Sequence, residues 1–146
     1  MIFLHNYLRW LIFIGIGYLI FFLFYSLYKW KEESAENLKQ KIKKNFLYIL
    51  ILTDFQYLLG IFLLVFYFLD NSIKEFSSIF KVKELRFILI EHPFLMTIFI
   101  FWMHFLNYKI KKLKTIKEVK WMIFFLFISA VILSIGIPWF RPLLRY

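Results

Sequence analysis

The chain has 146 residues, 62% of them hydrophobic and 24% aromatic, with a formal net charge of +10 and no cysteine. That composition leaves room for one apolar domain and excludes disulfides, iron–sulfur clusters and thiolate metal sites. The basic excess sits in two short lysine clusters beside apolar runs, with no recognition fold between them, so it points to lipid headgroups rather than nucleic acid.

Four apolar runs are each long enough to cross a bilayer, which takes about 20 residues at 1.5 Å rise. Spans are expected over 7–28, 45–69, 87–108 and 121–140, in one domain covering 1–146. No basic segment precedes the first run and no small-residue cleavage site follows it, so it reads as a retained span. The connector at 29–44 carries six lysines, and the one at 109–120 carries six more. The connector at 70–86 balances four basic residues against three acidic ones. Counting Lys and Arg places the two lysine-rich connectors in the cytoplasm and both termini outside, in a bacterial cytoplasmic membrane. Within the middle connector, Ile73, Phe76, Ile79, Phe80 and Val82 recur at helical spacing. That pattern fits an amphipathic helix on the membrane surface, or a loop capping the bundle. The fold class is all-α: an antiparallel four-helix membrane bundle.

Several ionisable residues fall within or beside the spans, where hydrocarbon makes them expensive and therefore informative. If the inner ends Tyr28, Asn45, Tyr108 and Trp121 are level, Arg9, Glu91 and His92 lie roughly 24–28 Å above them. Trp139 and Arg141 reach roughly 27–30 Å on the same count. Arg86 lies a little beyond this layer. All four arginines, against fifteen lysines, fall toward that side. Their planar, bidentate forks suit carboxylate, phosphate or propionate groups. The plainer reading is that Arg9 pairs with Glu91 to join spans one and three. Asp54 and Gln56 lie near mid-membrane with Tyr18, Thr97 and Ser129. There they act as interhelical hydrogen-bonding groups, or as a proton relay or quinone partner.

His5 and His92 invite a bis-histidine haem iron, with propionates on Arg9, Arg86 or Arg141. The same residue count puts His5 roughly 10 Å beyond His92, a gap that tilt or a kink at Pro93 would have to close. Met96 and Met103 share a helical face with His92, which suits a haem edge or a soft metal. His104 falls too near the lysine-rich end to join a ligand sphere with the other two. No HExxH pattern, serine nucleophile elbow or phosphate-binding glycine loop is present.

The motifs Leu4-His5-Asn6-Tyr7-Leu8-Arg9-Trp10, Gln56-Tyr57-Leu58-Leu59-Gly60, Leu85-Arg86-Phe87 with Glu91-His92-Pro93, and Ile137-Pro138-Trp139 with Arg141 follow one another along the chain. In that order they resemble a family of small four-span Bacteroidetes membrane proteins often labelled cytochrome-b-like. The resemblance implies a b-type haem, membrane electron transfer, and exchange with quinone or other redox subunits. His5 and His92 match the ligand positions. Asp54 stands where a histidine can accompany the span-two glutamine, so a haem scheme using span two does not carry over. Two other classes stay open. One is a non-catalytic accessory subunit or assembly factor of a membrane complex. The other is a binder or transporter of a small anionic or lipid-like ligand at the outer arginine layer.

Overall fold

The computed structural model describes residues 1–30, 34–70 and 76–139. It is an all-α bundle of four long apolar helices packed antiparallel. Helix α1 spans Ile2–Lys29 and α2 spans Ala35–Asp70. Short helices α3 (Phe76–Lys81) and α4 (Lys83–Arg86) lead to a π-helical turn, Phe87–Glu91, which runs into α5 (His92–Lys111). Helix α6 spans Ile116–Gly136. Each of these four long helical stretches is long and apolar enough to cross a membrane, as expected of a multi-pass membrane protein. The large side chains that remain exposed, such as Phe21, Phe62, Phe101 and Ile135, then face lipid.

Helix α1 packs on α2 and α6, and α5 packs on the same two. The bundle is therefore square, with α1 and α5 on one diagonal. Its core is dense toward the lysine-rich end, where Leu19 and Leu23 of α1 meet Met103 and Leu106 of α5 and Met122 and Leu126 of α6. Leu38, Ile42, Phe46 and Leu50 continue this stripe at four-residue spacing along α2. That stripe is why α2 starts at Ala35, ten residues before the expected span. The lysines of 39–44 ride on the outer faces of a buried helix instead of forming a connector. Helix α6 starts on a capping box: the Thr115 side chain accepts from the Glu118 amide, and the Glu118 carboxylate accepts from the Thr115 amide.

The longer α2 changes the levels of the bundle. Asn45 donates to the Tyr18 hydroxyl at 3.3 Å, so Asn45 is level with Tyr18 and not with Tyr28. The assumption of level inner ends fails for α1 by ten residues, about 15 Å. Arg9 thus lies near the level of Gln56 on α2, and lines one cavity with it and with His92. His5 comes down with it. The predicted 10 Å gap to His92 disappears by this shift of register rather than by a kink.

The two prolines act differently. Pro93 lies in the first turn of α5 and the helix continues through it. The turn before it is π-helical, with the His92 amide bonded to the Phe87 carbonyl. Pro138 instead ends α6: Ile137 before it is extended, as the residue preceding proline prefers. The Ser134 carbonyl is met by the Trp139 indole N–H at 2.8 Å. In the connector, Ile79 of α3 is buried while Phe80 and Val82 are exposed, and Ile73 lies outside the described residues.

Candidate functional site

Away from the lysine-rich end the core is hollow. A cavity of about 220 Å³ lies between α1, α2, α5 and α6. Its wall is mainly apolar, with Phe99, Ile100 and Leu133 toward the dense core. The polar residues that line it are His5, Asn6 and Arg9 of α1, Thr53, Gln56, Tyr57 and Tyr67 of α2, and His92 of α5.

His5 and His92 meet across the bundle diagonal. Their ring centroids are 6.2 Å apart, with the planes at 83°. The His92 ring is held from behind, and His5 through its backbone. The His92 Nδ1 lies 2.6 Å from the carbonyl of Gly136. That carbonyl is an orphan acceptor at the end of α6, so Nδ1 carries the proton and donates. The other ring nitrogen, Nε2, is then the basic one. On α1, the Gln56 side-chain amide donates to the His5 carbonyl at 2.8 Å. A Cβ on Gly60 would come within 3.3 Å of His5 Cε1, so glycine there gives the imidazole its place. On the other side Gly136 makes room for Met96, whose methyl fills the space a side chain there would occupy. Two buried polar atoms at the cavity, His5 Nδ1 and Gln56 Oε1, have no hydrogen-bonding partner among the described residues.

Arg9 is 8% exposed and lines the cavity, with its guanidinium 5.4 Å from the Trp10 ring centroid. The remaining expected residues lie elsewhere. Arg86 is outside the cavity wall and forms an ion pair with Glu91 at 2.8 Å. The π-helical turn places these two charges five residues apart on one side, where they pair with each other outside the cavity wall. Trp139 is exposed at the end of α6, where it caps Ser134 and packs edge-on against Trp10, 6.3 Å between centroids. Arg141 lies outside the described residues.

Asp54 is not in the core either. Its carboxylate accepts from His104 Nε2 at 2.9 Å, across α2 and α5, with the two side chains 40% and 53% exposed. His104, set aside on sequence grounds, is the residue that partners Asp54. One turn farther along this seam the Tyr57 hydroxyl and Thr97 share a hydrogen bond of 2.9 Å. Trp102 donates to Ser129 at 3.0 Å between α5 and α6. The mid-membrane polar residues thus join spans in pairs, as interhelical hydrogen bonds do in a bilayer.

The donor set fits a group ligated by two histidines. Imidazoles on opposite sides of one metal ion, at metal–nitrogen distances of about 2.0–2.1 Å, have ring centres roughly 6 Å apart. His92 has the backbone-bonded Nδ1 typical of a ligating histidine. Among the described residues no cluster of three or more His, Asp or Glu side chains is placed to hold a metal ion. The cavity is smaller than the roughly 300–1,000 Å³ of a site for a drug-sized ligand. A haem would therefore need part of the apolar wall drawn back.

No family model, curated protein or solved structure matches the chain.

Proposed function

We propose that this protein is a small cytochrome-b-like membrane protein in which His5 and His92 ligate a b-type haem for electron transfer. The observation that carries the reading is the approach of these two rings across the diagonal of a mainly apolar cavity. The four ordered motifs that resemble the cytochrome-b-like family favour the same pair. Haem, when bound, supplies one-electron Fe(III)/Fe(II) chemistry. The chain supplies the rest. His5 and His92 bind through their ring nitrogens, and the Gly136 carbonyl fixes the tautomer of His92. Arg9 offers its guanidinium to a propionate. The apolar wall excludes water and so sets the dielectric around the group. The lysine-rich ends face the cytoplasm in this reading, by the positive-inside rule, and the cavity opens toward the other side of a bacterial cytoplasmic membrane. Its exchange partners are quinone or other membrane redox subunits.

The test is a reduced-minus-oxidised visible spectrum of detergent-purified protein, with haem extraction from the same sample. A sharp b-type band at one haem per chain, lost in both His5→Ala and His92→Ala, is expected. A protein that stays colourless after haem is supplied overturns the reading.

A second reading is favoured by one observation: a buried arginine in a cavity of only about 220 Å³. It is a binder or transporter of a small anionic or lipid-like ligand. Arg9→Gln would then abolish ligand binding and His5→Ala would leave most of it. The non-catalytic accessory reading predicts that neither change affects more than stability or retention in a complex.

A further inference from the structure

The size of the cavity and the polar atoms left over at its wall together define an occupant. At about 220 Å³ it exceeds the roughly 150 Å³ in which an apolar protein cavity encloses benzene, and falls short of the roughly 300–1,000 Å³ of a drug-sized site. One six-membered ring with a substituent or two is the scale it encloses. The wall carries Tyr57, Tyr67 and Phe99 beside the two imidazoles, which suits an aromatic ring. The way in is apolar. A shallow hollow lined by Met1, Ile2, Phe3, Leu63 and Phe66 shares Ile2 and Leu63 with the cavity wall. It lies between the start of α1 and the far half of α2, two membrane-crossing helices, so the approach from lipid runs past hydrocarbon side chains.

The polar end selects the head group. The His5 carbonyl can only accept, so the nitrogen of the Gln56 amide must face it, as it does at 2.8 Å. Gln56 Oε1 is thereby left as a buried acceptor with no partner among the described residues. A carboxylate, ketone, ester or ether oxygen cannot satisfy it, because none of them donates. A hydroxyl can. His5 Nδ1 is the second such atom, and a hydroxyl suits it as well: Nδ1–H donates to the hydroxyl oxygen, whose own proton remains for Gln56. We propose that, on the lipid-like reading of the cavity, its occupant is a neutral, lipid-borne phenol whose hydroxyl donates to Gln56 Oε1 and whose alkyl tail leaves past Ile2 and Leu63. The ring is enclosed among the four spans, and the tail stays in hydrocarbon. The apolar wall favours the neutral phenol over an anion of the same size, because a charge taken out of water into such a wall costs far more than a hydroxyl does.

The experiment is native mass spectrometry of the full-length protein released from detergent, titrated with three probes that share one tail: para-decylphenol, its methyl ether and para-decylbenzoate. One para-decylphenol per chain is expected, held about tenfold or more tightly than the ether, the margin of one buried acceptor left without a donor. Gln56→Leu should bring phenol and ether to parity. Should that variant not fold, the wild-type ratio of phenol to ether carries the test. Equal affinity for phenol and ether, or a phenol preference that survives Gln56→Leu, overturns the proposal and leaves the lipid-like reading standing. Tighter binding of the benzoate overturns it in favour of an anionic ligand. If none of the three is retained, the proposal and the lipid-like reading fall together, and the haem reading is untouched.

Discussion

The meeting of His5 with His92 depends on the register of α1 against α2, and that register can be tested because the chain has no cysteine. A Cβ built on Gly15 lies 3.4 and 3.7 Å from the Cγ1 and Cγ2 atoms of Ile49. Both carbons are bonded to the Ile49 Cβ, so sulfurs placed on residues 15 and 49 are within bonding reach. In the alternative register, with Tyr28 level with Asn45, Gly15 would face Leu58. The two registers differ by nine residues on α2, about 13 Å of helix rise. A disulfide tolerates a Cα separation of only about 4.4–6.8 Å, so one pair cannot form in the register of the other. Gly15→Cys with Ile49→Cys should give a fast-migrating band on non-reducing gels after mild oxidation in native membranes. Gly15→Cys with Leu58→Cys should not. The reverse result would return His5 to about 10 Å beyond His92 and refute the two-histidine site along with the register.

The dense end and the hollow end should respond differently to substitution. Leu126 is fully buried among α1, α5 and α6, so Leu126→Ala should cost about 2–5 kcal/mol in detergent unfolding and leave the cavity's ligand binding intact. For Tyr57→Phe and Thr97→Val, a double-mutant cycle should return a coupling of about 0.6–1.7 kcal/mol, the range of single interhelical hydrogen bonds in a bilayer. Gly60→Val puts a branched side chain where the His5 ring sits, and should lower haem or ligand affinity more than it lowers thermal stability.

The four spans were legible because nothing but a bilayer accommodates four such apolar runs. Their ends were not, because a lysine-rich sequence looks like a connector whether or not it is helical. The signal was present in Leu38, Ile42, Phe46 and Leu50, which continue the buried stripe straight through the lysines. Reading that stripe would have lengthened α2 and brought α1 down to its true level. Asp54 was recognisable as a polar residue needing a neighbour, but residue counting separated it from His104 by about 7.5 Å, nearly one and a half turns. The two side chains nevertheless meet across the adjacent helices. Glu91 shows another limit. Its partner Arg86 is five residues away, a spacing that pairs on one side only where the helix is π-wound, and no rule of α-helical periodicity would select it. Trp139 was placed in a polar layer by residue counting, whereas its indole joins the Ile137 amide on the Ser134 carbonyl at the end of α6.

The hollow end carries an energetic signature that a ligand should remove. A buried donor or acceptor without a partner costs about 1–3 kcal/mol, and two such atoms, His5 Nδ1 and Gln56 Oε1, lie at the cavity. Gln56 cannot turn to satisfy its oxygen without giving up the bond from its amide nitrogen to the His5 carbonyl. His5 is similarly confined by Gly60 and the His92 ring. The wall is thus held in a conformation that its own groups do not fully satisfy, a condition native proteins keep mostly where function uses it. A ligand that occupies His5 and takes up these atoms binds the folded state alone, and at 100 times its Kd adds about 2.7 kcal/mol to stability. Thermal unfolding with and without haem should therefore separate by several degrees in the wild type. The separation should vanish in His5→Ala and shrink in Gln56→Leu. If Gln56→Leu raises the stability of the ligand-free protein while leaving the haem-dependent gain untouched, the strain at Gln56 is a packing cost unconnected with the site.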